Sequence, residues 1–183
     1  MNNKYIVVAL FGKAGSGKSY LLKHLTEHHP ELNRIVQVTT RPPRPGEQEG
    51  VDYYFKQNVE DFFKIKTLIE SNSFRFWWYG TDKKTLKQDK INIGIFNISG
   101  ICQMFFNPDI KIIPIYLNAN SKIRLIRQLN REENPDCYEI ARRYIADEND
   151  FFNIPFSYNL VINNYDELIP IEAEILDIIK KKL

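Results

Sequence analysis

The chain has 183 residues, 43% of them hydrophobic and 26% charged, the mixture of an ordinary globular domain and not of a disordered or fibrous chain. It carries 25 Lys and Arg against 23 Asp and Glu, a formal charge of +2. This argues against bulk electrostatic binding of nucleic acid, so any phosphate chemistry depends on where the cations sit. Cys102 and Cys137 form no CxxC pattern and are too few for a disulfide scaffold. The apolar run Tyr5–Phe11 is too short to span a bilayer. The expectation is a reduced, cytoplasmic protein with no membrane or nucleic-acid partner, acting as a monomer or homodimer.

Tyr5–Phe11 is a β-favouring apolar run and reads as a strand buried on both faces of a parallel sheet. After a glycine-rich turn, the apolar residues from Ser19 to Leu25 take helical spacing, and Pro30 ends that helix. Further buried strands are predicted at Ile91–Ile98, Ile110–Leu117 and Asn159–Ile162, and helices at about 58–66, 120–131, 137–150 and 167–182. This alternation predicts an α/β fold, a parallel sheet flanked by helices. Two stretches interrupt it. Residues 39–81 contain short strand-like runs, Asp52–Phe55 and Phe74–Trp78, and read as a small β-containing insertion. Residues 127–143 gather arginines around the polar run Glu132–Asp136 and read as a helical lid. The core is then 1–38, 82–126 and 144–183.

Gly12-Lys13-Ala14-Gly15-Ser16-Gly17-Lys18-Ser19 fills every fixed position of G-x-x-x-x-G-K-[ST], between a strand and a helix. Glycines let backbone N–H groups converge on phosphate oxygens, and the helix N-terminus adds its positive end. In this logic Lys18 reaches the β- and γ-phosphates and the Ser19 hydroxyl ligates Mg²⁺, while Lys13 stays solvated. The motif points to ATP and Mg²⁺ without naming the acceptor.

Thr39-Thr-Arg-Pro-Pro-Arg-Pro-Gly-Glu-Gln-Glu-Gly-Val-Asp-Tyr-Tyr-Phe55 closely resembles the guanylate kinase signature T-T-R-x-P-R-x-G-E-x-x-G-x-D-Y-x-F. Tyr79-Gly80-Thr81 resembles the family's Y-G-[ST], Arg127, Arg131 and Arg143 its lid arginines, and Val161–Asn164 the strand end near the adenine of ATP. The resemblance implies a P-loop kinase core, with 39–81 as the nucleoside-monophosphate-binding region and 127–143 as the lid. It assigns Arg41, Arg44, Tyr53 and Tyr79 to the acceptor phosphate. Arginine suits that task because its planar fork binds phosphate in a bidentate way. It assigns Gly12 to Tyr20 and Asn163 to ATP and Gln37, Glu70, Thr81, Asn97 and Ser99 to the nucleoside-monophosphate side, with Asn97 where the family's first aspartate supports the magnesium shell and Ser99 where its second helps bind the base. Lys18, Arg127, Arg131 and Arg143 would then stabilise charge during transfer. Arg124 and Arg142 are adjacent alternatives.

The chain departs from the family in the base pocket. Gln37 stands where the family generally has serine, and Phe96-Asn97-Ile98-Ser99 where it carries L-D-x-D, so both carboxylates are replaced. Glu70 keeps the spacing of the guanine-reading glutamate; a carboxylate accepts twice and cannot donate, which favours guanine over adenine. Trp77 and Trp78, with Tyr54, Phe55, Phe62 and Phe63, read as core of the insertion. His24 and His28 have metal-ligand spacing, but no carboxylate or Cys cluster accompanies them, which argues against a zinc site. The leading function is phosphoryl transfer from ATP to GMP or dGMP, with altered base choice allowed. A kinase of a ribose bisphosphate and a phosphopeptide-binding module that no longer turns over ATP remain as alternatives.

Overall fold

A computed structural model describes residues 4–44, 46–74, 76–131, 133–164 and 169–183. Pro45, Arg75, Glu132 and residues 167–168 of the predicted elements lie outside these. The chain runs β1 (Tyr5–Phe11), α1 (Lys18–His28), β2 (Leu32–Arg34), β3 (Gln37–Thr39), β4 (Tyr53–Phe55), α2 (Val59–Phe63), β5 (Leu68–Phe74) and β6 (Trp77–Asp82). It continues with β7 (Ile91–Ile95), α3 (Ile98–Phe105), β8 (Ile110–Asn118), α4 (Ser121–Leu129), α5 (Cys137–Asp150), β9 (Asn159–Ile162) and α6 (Ile169–Lys182).

Five strands form a parallel sheet in the order β2-β7-β1-β8-β9. β1 is central, and its alternation divides the core. Val8 and Leu10 face one layer, packed with Leu21 and Leu25 of α1 and Ile171, Ile175 and Ile179 of α6. Val7, Ala9 and Phe11 face the other, with Ile101 and Met104 of α3. Each fully buried aliphatic or aromatic side chain contributes about 1.5–3 kcal/mol. The continuous apolar sequence of β1 is therefore the signature of a strand covered on both sides.

A second sheet has the order β4-β3-β6-β5; β3 and β4 are parallel, and β6 is antiparallel to both β3 and β5. Of the run read as one strand, Phe74–Trp78, Phe74 ends β5 while Trp77 and Trp78 begin β6, with Phe74 opposite Trp77. Phe62 is fully buried and Trp78 packs on Phe62 and Phe63, but Phe63 is 45% exposed, Trp77 is 36% exposed and Tyr54 sits at the surface. The insertion is too small to bury every aromatic it carries.

The largest departure lies after β7. The apolar run predicted as a strand to Ile98 stops at Ile95, and a helix not anticipated, α3, begins at Ile98. Asn97 is the cause: its side chain accepts from the Gly100 N–H at 2.8 Å and caps the helix.

Candidate active site

The phosphate loop leaves the carboxyl end of β1, where ligands collect in parallel α/β sheets. Gly15 and Gly17 hold φ near +78° and +93°, a region other residues avoid. A Cβ on Gly15 would strike the Arg124 carbonyl, and one on Gly17 the Asn163 amide. Asn163 explains the second contact: it is 2% exposed and its Nδ2 donates to Ser16 O at 2.8 Å. It braces the loop from behind.

Lys18 turns into the loop. Its Nζ donates to Gly12 O at 2.7 Å and Lys13 O at 2.9 Å. Burial lowers its pKa to about 8; the Asp147 charge partly opposes this and Arg124 adds to it. Lys13, expected in solvent, is only 15% exposed in its side chain and pairs with Glu148 at 2.5 Å. The neighbouring α5 residue, Asp147, accepts from the Ala14 N–H at 2.5 Å. Arg124 binds Glu148 at 2.9 Å and lies 3.9 Å from Asp147, 2% exposed and over the Tyr144 ring. Arg124 is thus a buried strut between α4 and α5 and no alternative lid arginine. An acidic pair on α5 meets the loop, which the motif alone does not foreshadow.

Lys18, Ser19 and Tyr20 line a cavity of about 640 Å³ with Arg127, Arg131, Arg143 and Asn163. Arg127 Nη1 donates to Asn163 O at 3.1 Å, and Arg143 Nε to Glu139 at 2.8 Å. A second cavity, about 380 Å³, opens from the same loop and is lined by Gly12, Lys18, Gln37, Glu70, Asn72, Tyr79, Asn97, Arg142, Arg143 and Asp147, among others. The loop, the lid arginines and the second sheet therefore meet in one cleft.

Glu70 is the centre of its far wall. It is 3% exposed, and not the surface carboxylate that a strand end also allows. Its Oε1 accepts from Thr81 Oγ1 at 2.6 Å and Gln37 Nε2 at 3.2 Å, and its Oε2 from Asn72 Nδ2 at 2.8 Å. Burial pushes its carboxyl up, and these three donors oppose the shift. Asn72 was not singled out in the sequence; an Asn two residues beyond the glutamate on β5 gives no local signal. Ser99 is exposed on α3 and touches Gln103 Nε2 at 3.4 Å, outside the cavity lining.

Arg41 is buried, with Nη2 on Glu47 Oε1 at 2.8 Å and its guanidinium 5.3 Å from the Tyr53 ring centre. Tyr79 meets Tyr53 edge-on at 6.1 Å, and burial raises the Tyr53 phenol, keeping it a neutral donor. Arg44 is exposed; its backbone N–H, not its side chain, binds Glu47, and it lines a separate groove with Arg131 and Arg143. Arg41 is fixed, whereas among the described residues Arg44 is held by its backbone alone; the turn was expected to fix both. His24 and His29 share Glu172 at 2.6 and 2.5 Å, away from the cleft. Among the described residues no group of three or more His, Cys, Asp or Glu is placed to hold a metal, and no helix is long and apolar enough to cross a membrane.

The family profile described as guanylate kinase matches residues 3–180. The chain belongs to the guanylate kinase family. It is 32% identical to the guanylate kinase of Onion yellows phytoplasma, over 98% of this chain and 87% of that one. It is 46% identical to the guanylate kinase of Synechococcus sp. (strain JA-3-3Ab) over 45% of this chain, a match that spans only 39% of that protein's length. The crystal structure of guanylate kinase from Anaplasma phagocytophilum superposes with a TM-score of 0.68 at 17% identity, covering 98% of this chain and 87% of the other. That likeness shows the shared guanylate kinase fold.

Proposed function

We propose that the chain transfers the γ-phosphoryl group of ATP to GMP or dGMP, giving the diphosphate and ADP. The observation that carries this reading is the common cleft, with Lys18 and the loop on one wall and Gln37, Glu70 and Tyr79 on the other. A donor triphosphate on the loop and a purine monophosphate at Glu70 would meet phosphate to phosphate, which converts a bimolecular encounter into a positioned one. An oxygen of the acceptor phosphate attacks the γ-phosphorus, and the bond from that phosphorus to the β,γ-bridging oxygen breaks. No protein nucleophile is required. Lys18 and the loop amides hold the triphosphate, and Arg127, Arg131 and Arg143 offset charge that grows in transfer. Arg41, Tyr53 and Tyr79 hold the acceptor phosphate, with Arg44 completing that set on closure.

Mg²⁺ fits as a passenger of the nucleotide. Ser19 is exposed on the cavity wall, whereas the Asn97 side chain is occupied by its cap. The protein then offers one neutral hydroxyl, consistent with a metal held largely by phosphate oxygens and water. When bound, the ion supplies positive charge at the β- and γ-phosphate oxygens.

The test is ADP release with ATP and Mg²⁺ across GMP, dGMP, AMP, dAMP, CMP, UMP and dTMP. Turnover confined to GMP and dGMP is expected. Turnover confined to pyrimidines or adenylates would overturn the acceptor assignment, and absence of turnover with every monophosphate would overturn the reaction.

A further inference from the structure

The base pocket contains more donors than a guanine-reading carboxylate needs. A carboxylate offers about four lone-pair positions. Thr81, Gln37 and Asn72 occupy three on Glu70, two at Oε1 and one at Oε2. With these three groups facing it, one acceptor position is left, on Oε2. That position is kept open by Gly100. The glycine is inside α3 with no unusual backbone angle, and a Cβ there would stand 2.8 Å from Glu70 Oε2 and 3.1 Å from Asn72 Nδ2. Gly100 is there for space.

Asn72 is held in place from the far side. Gln103 of α3 pairs with the edge of β5 as a strand would: Ser71 N–H donates to its Oε1 at 3.0 Å and its Nε2 to Ser71 O at 2.9 Å. The same Nε2 lies 3.3 Å from Asn72 Oδ1. The amide is therefore oriented with its NH₂ toward Glu70 before any base arrives.

We infer that Asn72 is a specificity-determining residue: by occupying Oε2 it leaves Glu70 one acceptor for the purine edge, so the site takes 6-oxopurine monophosphates with or without a 2-amino group. Guanine presents two donors on that edge, N1–H and an N2–H; hypoxanthine presents N1–H alone. Guanine must displace an amide to be read fully, and hypoxanthine need not. This deepens the proposed function and rests on it for the acceptor class.

The experiment compares GMP with IMP on the full chain, wild type against Asn72→Ala. Both substrates are measured on one preparation, so the ratio is independent of the folded fraction. The wild type is expected to favour GMP over IMP by no more than about tenfold in kcat/KM. Asn72→Ala frees the second acceptor, and the ratio rises by about tenfold, through a lower KM for GMP, because a hydrogen bond to a charged group is regained. Gln103→Leu, which frees Asn72 without removing it, moves the ratio the same way by less. A ratio unchanged in Asn72→Ala, or a wild type that rejects IMP by more than about a thousandfold, overturns the inference. Equilibrium binding of GMP and IMP without ATP separates the two claims: a failed reaction leaves the binding ratio readable, and that ratio judges Asn72 alone.

Discussion

In the proposed function, the recognition groups at the phosphate end of the cleft are backbone amides of the Gly12–Ser19 loop, braced by Asn163 and closed over by Lys18. At the base end they are side chains of Gln37, Glu70, Asn72 and Thr81, brought in by three strands and enclosed by a helix. The first is contiguous in the chain and tolerates little change, because glycine conformations define it. The second is assembled across the fold and can be rewired one side chain at a time. On that reading phosphate chemistry and base choice are separately adjustable in one protein.

The sharpest break of this comparison is at Lys18. Lys18→Met should lower kcat/KM by about 10³-fold for every acceptor alike, since a preorganised charge at the transferring group is lost. A base-dependent effect would show that the two ends are coupled. The converse is Glu70→Gln, where an acceptor pair becomes one acceptor and one donor. It should cost GMP about 10²-fold in kcat/KM, largely through KM, with ATP binding to the free protein unchanged. Initial-rate kinetics with varied GMP, and nucleotide titration without acceptor, read the two quantities.

The same contrast decides what could be read from the chain before its structure. β1 and α5 were legible because a strand covered on both faces is a continuous apolar run and an amphipathic helix repeats its apolar residues, whereas β9, expected to be a buried strand, is an edge strand with Leu160 and Ile162 exposed. The loop was legible because its conformation demands glycines in order. α3 was not, since Ile91–Ile98 is continuously β-favouring and only the Asn97 cap distinguishes strand end from helix start. Asn72 takes its place through Gln103, 31 residues away, and Asp147 through Ala14, 133 residues away. No local pattern records such pairs. Glu70 was found only because the family resemblance fixes its spacing from Tyr79.

Asp147 makes the phosphate end less uniform than its motif suggests. Its carboxylate takes the Ala14 N–H and lies near Lys18, where triphosphate would bring further negative charge. Asp147→Asn should lower KM for ATP by about fivefold, the size of one screened charge repulsion. It should also shift the pH dependence. Lys18 loses its proton near pH 8 in the free protein, so ATP binding weakens as pH rises through about 8. Removing the Asp147 charge lowers the Lys18 pKa further, and the weakening then begins at lower pH. An ATP titration from pH 6.5 to 9.5 tests both statements; a profile displaced to higher pH would refute the assigned electrostatics.

The smallest effect is the control for all of these, and it lies at the other end of α1. Glu172 accepts from His24 and His29, and its bond to His29 raises that imidazole while lowering the carboxyl. A raised histidine contributes stability that is complete below its unfolded value of about 6.5 and fades as pH climbs through the folded one. The lowered carboxyl contributes above its own unfolded value and loses this only in acid. Both contributions are present near pH 5–6, and the histidine part declines toward pH 8. Glu172→Gln should flatten that decline by about 1 kcal/mol or less, seen in thermal unfolding from pH 5.5 to 8.5. Because the cluster touches neither wall of the cleft, the GMP-to-IMP ratio and the ATP profile should stay as in the wild type. A change in either would mean that α1 transmits its far end to the phosphate loop, and the separation between the two ends of the cleft would no longer be a property of the residues that line them.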